Sequence, residues 1–294
     1  MFNIVVVLYG VTYQESTTVN SLKHLLSKKS YPELAEIILF DNSPKTYCPN
    51  DLPAQFTYMH SEENVGLAKA YNYALNFSKD KIDWLITFDQ DTVVTAEYLA
   101  LMIENQKQVS DTIVAIAPII QNGEQQISPV SSNTLRPLKE KKIAPNQIYL
   151  QNIMVINSGT AVKVEFLKEI NGYNEEFPLD YLDHWLSWEI FAEGKEIEII
   201  DTDLQHDLSV LNYQQVSLVR YQSILNAETK YFSKYQTKLA KTYSKQLLLR
   251  VMKHLIKGRF SFAKLTFRYF LIFLEEVNGS RSTASIETKK SKKK

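Results

Sequence analysis

The first third of the chain alternates between short apolar runs and stretches with helical spacing. Residues 3–8, Asn-Ile-Val-Val-Val-Leu, form a β-branched run of the kind found in strands buried on both faces. Turn residues follow, then helical spacing over 17–27. A second strand is predicted over 36–40, ending abruptly at Asp41-Asn42-Ser43-Pro44. A third is predicted over 56–60, a helix over 66–76, and a fourth strand over 83–88 that runs into Asp89-Gln90-Asp91. Strands separated by helical segments of this length predict a parallel, open α/β sheet. Ligands of such sheets bind beyond the carboxyl ends of the strands, and three of these ends carry polar residues suited to chemistry.

The pattern then loosens. Residues 121–148 are rich in Asn, Gln, Ser and Pro and read as a long loop beside an acceptor site. Strand character returns at 153–156 and again, for the last time, at 197–200. Short helices are predicted over 162–170 and 181–193. Beyond Val216 the chain is helical and increasingly basic, and no internal repeat is visible.

Composition sharpens this picture in three places. With 294 residues, 45% of them hydrophobic, the chain can bury one large core, or a core plus an appendage. A single cysteine, Cys48, excludes an internal disulfide and fits a reducing, cytoplasmic setting. The N-terminal apolar run is short and lacks a basic flank, so it reads as a strand rather than a signal peptide.

Charge is the third. The net charge of zero hides an asymmetry: 17 of the 33 Lys and Arg fall after residue 228, with only 3 of the 33 Asp and Glu. An acidic body with a basic appendage predicts an anionic partner for the appendage. Residues 247–274 mix Leu, Phe and Tyr with spaced Lys and Arg, but never reach the roughly 18 apolar residues of a membrane span. Lys264 and Arg268 interrupt the most apolar part. An amphipathic helix lying on an anionic membrane surface fits this pattern, and a packed helical extension with a solvated basic face is the alternative. The Lys-rich 289–294 is expected to be disordered and to add about 1 kcal/mol per charge near an anionic leaflet. Nucleic acid is not expected as a partner, because no recognition module accompanies the basic run. The expected domains are 1–226, divided at residue 91 into nucleotide-binding and acceptor halves, and a helical basic region over 227–294.

Candidate chemistry concentrates at the strand ends. Asp89 and Asp91, one residue apart after a buried strand, can converge on one hard cation that neutralises a diphosphate. Asp41 ends the second strand, where its carboxylate either caps a turn or accepts a hydrogen bond from a pyrimidine imide. Tyr13, at the end of the first, can cover the same base. Asn64 and Gly66 shape a turn into a helix whose N-terminus favours anions.

Taken in order, Val11-Thr12-Tyr13, Phe40-Asp41-Asn42-Ser43-Pro44, Glu63-Asn64-Val65-Gly66-Leu67-Ala68-Lys69-Ala70-Tyr71-Asn72 and Phe88-Asp89-Gln90-Asp91 resemble the nucleotide-binding half of family 2 glycosyltransferases with the GT-A fold. Asn157-Ser158-Gly159-Thr160, Asn171-Gly172-Tyr173-Asn174-Glu175-Glu176-Phe177 and Asp180-Tyr181-Leu182-Asp183-His184-Trp185 continue the likeness, which covers about residues 1–226. Phe88-Asp89-Gln90-Asp91 and Asp180-Tyr181-Leu182-Asp183-His184-Trp185 resemble the bacterial rhamnosyltransferase branch in particular. The resemblance implies a GT-A-type Rossmann-like sheet with a C-terminal basic extension, a dTDP- or UDP-sugar donor, and Mg²⁺ or Mn²⁺. It implies Tyr13 and Asp41 at the base, Asp89 on the ribose–diphosphate side, Asp91 as principal metal ligand, and Asp183 as the base that deprotonates the acceptor hydroxyl. His206 falls where relatives place a histidine near metal or diphosphate.

Asp180, three residues before Asp183, is expected to cap the helix. Trp185 stands where the family often has a second acid, with His184 between; its indole either stacks on a sugar or packs in the core. Arg220 is a loose counterpart of a phosphate-side arginine. The Gln-x-x-Arg-Trp motif of processive relatives is absent, which favours transfer of one sugar at a time. The implied setting is inverting transfer of a hexose, rhamnose in particular, onto a lipid-linked precursor of a bacterial surface polysaccharide, on the inner face of the plasma membrane.

Two other classes share some of these features. A sugar nucleotidyltransferase should carry a Gly-rich basic loop after its first strand, whereas Tyr9-Gly10-Val11-Thr12-Tyr13 offers one glycine and no Lys or Arg. A non-catalytic partner that kept the fold has no need of Asp89, Asp91 and Asp183 together.

Overall fold

A computed structural model describes residues 1–49, 51–78, 81–206 and 216–291. The continuous apolar run becomes β1 (Phe2–Leu8), buried along its whole length. It lies between two parallel neighbours, β2 (Leu34–Asp41) and β4 (Trp84–Asp89), and β3 (Phe56–His60) pairs with β2. Helix α1 (Thr17–Lys28) connects β1 to β2, and α2 (Gly66–Phe77) connects β3 to β4. Ser16 starts α1 by accepting from the Val19 amide at 3.2 Å, meeting one of the orphan donors of the first turn. The register sets Leu8 opposite Asp41 and Val7 opposite Asp89, so both acids end at one edge of the sheet.

The rest of the first unit comprises α3 (Ala96–Asn105), β5 (Ile113–Asn122), β6 (Gln125–Ser128), β7 (Val130–Ser131), β8 (Gln147–Tyr149), β9 (Ile153–Met154), β10 (Thr160–Lys163), α4 (Val164–Glu169), α5 (Leu182–Ala192) and β11 (Glu196–Gln205). Among the described residues, nine strands form one sheet in the order β3-β2-β1-β4-β10-β5-β11-β8, with β6 beside β5, while β7 and β9 form a separate pair. The α/β class is as expected, with one correction: β10 runs antiparallel to both β4 and β5, so the sheet is mixed. Residues 121–148 are not a structureless loop. They hold β6, β7, a 3-10 turn and β8, all short, whose hydrogen bonds offset their weak propensity.

The chain divides into two compact units, Met1–Ser132 with Arg136–Leu208, and Asn133–Leu135 with Ser209–Lys294. Helix α6 (Leu218–Lys230), which the sequence groups with the first domain, clusters with α7 (Ala240–Ile256) and α8 (Phe260–Ser291). Tyr243, Leu247 and Phe273 are buried in this second unit. So is Glu228, which takes a two-pronged ion pair from Arg250 at 2.6 and 3.0 Å and a bond from the Tyr243 hydroxyl at 3.1 Å. A buried carboxylate is tolerated when it is paired this fully. The Lys-rich terminus expected to be disordered falls at the end of α8, and residues 292–294 lie outside the described residues. No described helix is long and apolar enough to cross a membrane.

Candidate active site

The apolar run of β4 stops at Phe88, which is fully buried, and hands the chain to Asp89, whose side chain is half-buried. Three local bonds hold this corner. The Asp89 amide donates to Ser158 Oγ at 3.1 Å, the Ser16 hydroxyl donates to the Gln90 carbonyl at 2.8 Å, and the Thr92 amide donates to Thr18 Oγ1 at 2.9 Å. Opposite it, β11 hands the chain to His206, whose amide donates to the Gln121 carbonyl at 3.0 Å. The buried His206 ring therefore arrives beside the Asp89–Asp91 turn. Its Nε2 lies 3.8 Å from Asp89 Oδ2, and its Nδ1 lies 3.3 Å from Asp91 Oδ1 and 2.9 Å from Thr92 Oγ1.

These three side chains offer ligand atoms all within 4.8 Å of one another. Two carboxylates and one imidazole suit a divalent cation of the Mn²⁺ or Mg²⁺ kind, the nitrogen favouring Mn²⁺. With the Nδ1 proton directed at Thr92 or Asp91, the Nε2 lone pair faces Asp89, the arrangement in which a neighbour fixes the tautomer of a ligating histidine. Burial pushes the Asp89 carboxyl up to about 6; Asp91 and Asp183 add to the rise, and His206 opposes it. A cation in the cluster would relieve that crowding of negative charge.

Asp183 sits in the first turn of α5. Its Oδ1 accepts from the His184 amide at 2.8 Å and faces His184 Nδ1 at 2.9 Å, while the His184 ring packs on Tyr181 with centroids 4.4 Å apart. Asp183 is thus oriented by its neighbour and lies within electrostatic reach of Asp89. The expectation for Asp180 needs correction: the cap position of α5 belongs to Tyr181, in the left-handed region at φ 65° with no side-chain cap bond. Trp185 is 4% exposed. It is a packing residue of α5, not a face open to a sugar.

The donor side is tied to the segment before α5 by small residues. Gly66 has φ +83°, and a Cβ there would meet the Pro178 carbonyl oxygen at 2.5 Å; only glycine tolerates both conditions. That approach lets the Leu67 amide donate to Pro178 O at 2.6 Å. One turn further, Asn72 bonds the Tyr173 backbone in both directions, at 2.9 and 2.7 Å, across a gap that a side chain at Gly172 would close. Asn64 shapes the same turn, its Oδ1 accepting from the Gly66 amide at 3.1 Å.

Asp41 and Tyr13 reach their expected strand ends, but both are covered. Asp41 is fully buried; Oδ1 accepts from the Ser43 amide at 2.9 Å and Oδ2 from the Tyr58 hydroxyl at 2.5 Å. Tyr13 is 1% exposed, donates to Asp51, and carries the Lys23 ammonium 4.9 Å above its ring. Arg220 belongs to the second unit, on α6. Sequence reasoning missed Tyr58, Thr92 and Ser158. Thr92 directly follows Asp91 and so was legible as a support of the turn, whereas Tyr58 and Ser158 meet their partners only through the fold.

A Rossmann-like sheet with an aspartate pair at the end of its fourth strand, continued by an antiparallel strand and a helix bearing a further acid, defines a glycosyltransferase of the GT-A type. Residues 4–170 match the glycosyl transferase family 2 profile, and the chain belongs to that family. It is therefore a glycosyltransferase. No curated protein sequence matches it. Residues 1–349 of S. aureus TarS share the fold, with 16% identity, a TM-score of 0.52, and coverage of 90% of this chain and 80% of that one. GalNAc-T7, solved with UDP, GalNAc and Mn²⁺, shares it with 16% identity and a TM-score of 0.53 over 97% of this chain and 58% of that one.

Proposed function

We propose that this glycosyltransferase moves one sugar at a time from a nucleotide sugar to a hydroxyl acceptor, with inversion at the anomeric carbon. Asp91, Asp89 and His206 hold the divalent metal, and Asp183 is the general base. The observation that carries this reading is the convergence of Asp89, Asp91 and His206 on one point, with the Asp183 carboxylate adding to the negative charge felt at Asp89. When bound, a divalent cation neutralises the charge that builds on a departing diphosphate. Asp183, held by His184, accepts the proton of the attacking hydroxyl. Asn64, Gly66 and the α2 N-terminus serve the diphosphate. Tyr13 and Asp41 serve the base, and Asp180 and His184 border the acceptor.

The motif likeness to rhamnosyltransferases favours dTDP-rhamnose as donor and a lipid-linked saccharide as acceptor; the UDP held by GalNAc-T7 keeps a UDP-sugar in view. A thermal-shift series of UDP, dTDP and their sugar conjugates, each with Mg²⁺ or Mn²⁺, tests the reading, since a ligand of the folded state raises its stability by mass action. The expected result is a rise that needs both nucleotide and metal. No rise with any pair removes the proposal.

Two further outcomes follow from this reading. The Tyr58 hydroxyl occupies Asp41 in the place a base imide would take, so Tyr58→Phe should leave a buried carboxylate short of a donor. The ligand-free protein should lose about 1–2 kcal/mol, and UDP affinity in Mn²⁺ should rise several-fold, measured by calorimetry. An unchanged or weaker affinity would take Asp41 out of the base site.

The second concerns the membrane. On α7, Leu249 and Ile256 are 61% and 83% exposed beside exposed Lys245, Lys253 and Lys257. This combination suits peripheral attachment to the anionic inner leaflet of a bacterial plasma membrane. The full chain should bind phosphatidylglycerol vesicles, less so in raised salt, and a Leu249→Asp/Ile256→Asp double variant should stay in solution while keeping its melting temperature. Equal vesicle binding by both would mean that α7 is not the attachment.

A further inference from the structure

Tyr181 stands just before α5 in the left-handed region, at φ 65° and ψ 8°. Among the described residues, the other non-glycines with positive φ are Asn146, Asn152 and Asn171, a residue type whose short polar side chain tolerates that backbone. A bulky aromatic there is unfavourable, and no side-chain cap bond offsets the strain. The turn itself does not require tyrosine. Glycine or asparagine would serve between Pro178, tied to the Leu67 amide, and the bond from the Trp185 amide to the Tyr181 carbonyl at 2.9 Å that begins α5. What tyrosine adds is its ring, which packs on the His184 imidazole with centroids 4.4 Å apart and 33° between the planes.

That imidazole in turn holds one atom. Asp183 Oδ1 accepts from the His184 amide at 2.8 Å and, with the ring proton on Nδ1, from the imidazole at 2.9 Å. Among the described residues none donates to Asp183 Oδ2, and the side chain is 22% exposed. The two oxygens are therefore unlike: one is fixed by two donors of the next residue, and the other is open to an incoming hydroxyl. Resting on the function proposed above, we infer that Tyr181 is a positioning residue for the base. Its strained backbone sets the ring that keeps His184 against Asp183 Oδ1, and this turns Oδ2 to the acceptor. In the transfer, the acceptor oxygen bonds to the anomeric carbon and its proton passes to Asp183 Oδ2. The bond from that carbon to the diphosphate oxygen breaks, its electron pair leaving with the nucleoside diphosphate. A base free to leave this rotamer would lose much of the step, since rate depends steeply on the placement of the reacting groups.

Tyr181→Asn and Tyr181→Gly keep the left-handed turn and remove the ring, whereas Tyr181→Phe keeps the ring. In the full chain both ringless variants should fold and bind UDP in Mn²⁺ as the unaltered chain does. Nuclear magnetic resonance of nitrogen-labelled histidine, with the His184 signals identified by their loss in His184→Phe, reads the tautomer without any substrate. The Nδ1-protonated form should be present in the unaltered chain and in Tyr181→Phe, and lost in the ringless pair. Nucleotide release from dTDP- and UDP-sugars, with water as the attacking hydroxyl, should fall by up to about 100-fold in kcat in that pair, with KM unchanged, and recover in Tyr181→Phe. Because the ring acts through His184, adding Tyr181→Asn to His184→Phe should lower the rate no further. The inference is overturned if the ringless variants keep both tautomer and rate, if Tyr181→Phe loses as much as they do, or if the two losses simply add in the double variant. It fails also if both ringless variants unfold, since the ring would then be a structural prop. Asp183→Asn, run alongside, separates this from the parent reading: normal release there, or release from no donor by the unaltered chain, overturns the parent reading instead.

Discussion

Asp183→Asn is expected to transfer sugar about 10²–10⁴-fold more slowly than the unaltered chain, the usual cost of losing a positioned general base. The amide keeps the size of the side chain and can still accept the His184 amide bond seen at 2.8 Å, so α5 should fold normally. It cannot take a proton at neutral pH. Because Asp183 acts on the acceptor, UDP affinity in Mn²⁺ should stay within a few-fold of normal, which separates this loss from damage to the donor side. Asp180→Asn is the companion: Asp180 lies just outside α5 and does not cap it, so its carboxylate could be mistaken for the base. Normal turnover by Asp183→Asn beside an inactive Asp180→Asn would move the role to Asp180. Normal turnover by both would leave neither acid at the start of α5 as the general base.

The second large effect is expected at Asp91. Its side chain is 40% exposed and lies outside the strand, so Asp91→Ala should cost the fold little. It also removes one of the charges that raise the Asp89 carboxyl, a change that favours the ligand-free protein. What should disappear is the metal dependence. Losing one of three ligands should lower Mn²⁺-dependent UDP affinity by at least about 100-fold, more than loss of an outer partner typically does. Calorimetric titration of UDP with Mn²⁺ and with EDTA measures this directly. If Mn²⁺ still strengthens UDP binding to Asp91→Ala as it does for the unaltered chain, the cluster is not the metal site.

The donor half was readable because its physics is local. Residues 3–8 and 84–88 are buried on both faces, and hydrophobicity drops abruptly where each strand leaves the core, at Tyr9-Gly10 for the first and at Asp89 for the second. The Gly66 turn was readable for the same reason, although why glycine is required there became clear only with Pro178 beside it. The antiparallel direction of β10 was not readable: a four-residue strand has the same apolar pattern whichever way its partners run. Strands of two to four residues within 121–148 fail for a related reason, because their stability comes from ladders with distant segments. Asp180 misled because a left-handed Tyr181, one residue later, starts the helix without a polar cap. Trp185 could not be placed on either side, since α5 carries apolar residues around much of its circumference and no stripe marks the core face.

Thr92 and His206 touch across 114 residues of chain, and this has a consequence for how the protein is made. Residues 1–91, with their parallel pairing of β1, β2, β3 and β4, leave the ribosome long before β11 exists, and domains begin folding from the N-terminus during synthesis. Until His206 emerges, the Asp89–Asp91 turn is an acidic corner with no imidazole to offset it and no β5–β11 ladder to shelter it. The cluster can close only after β10 has entered between β4 and β5 and β11 has added beside β5, so it is the seam along which the nascent sheet is finished. Any metal bound there grips a first unit whose sheet is already assembled and closes a loop of more than a hundred residues, which restrains the unfolded chain more than a short loop would.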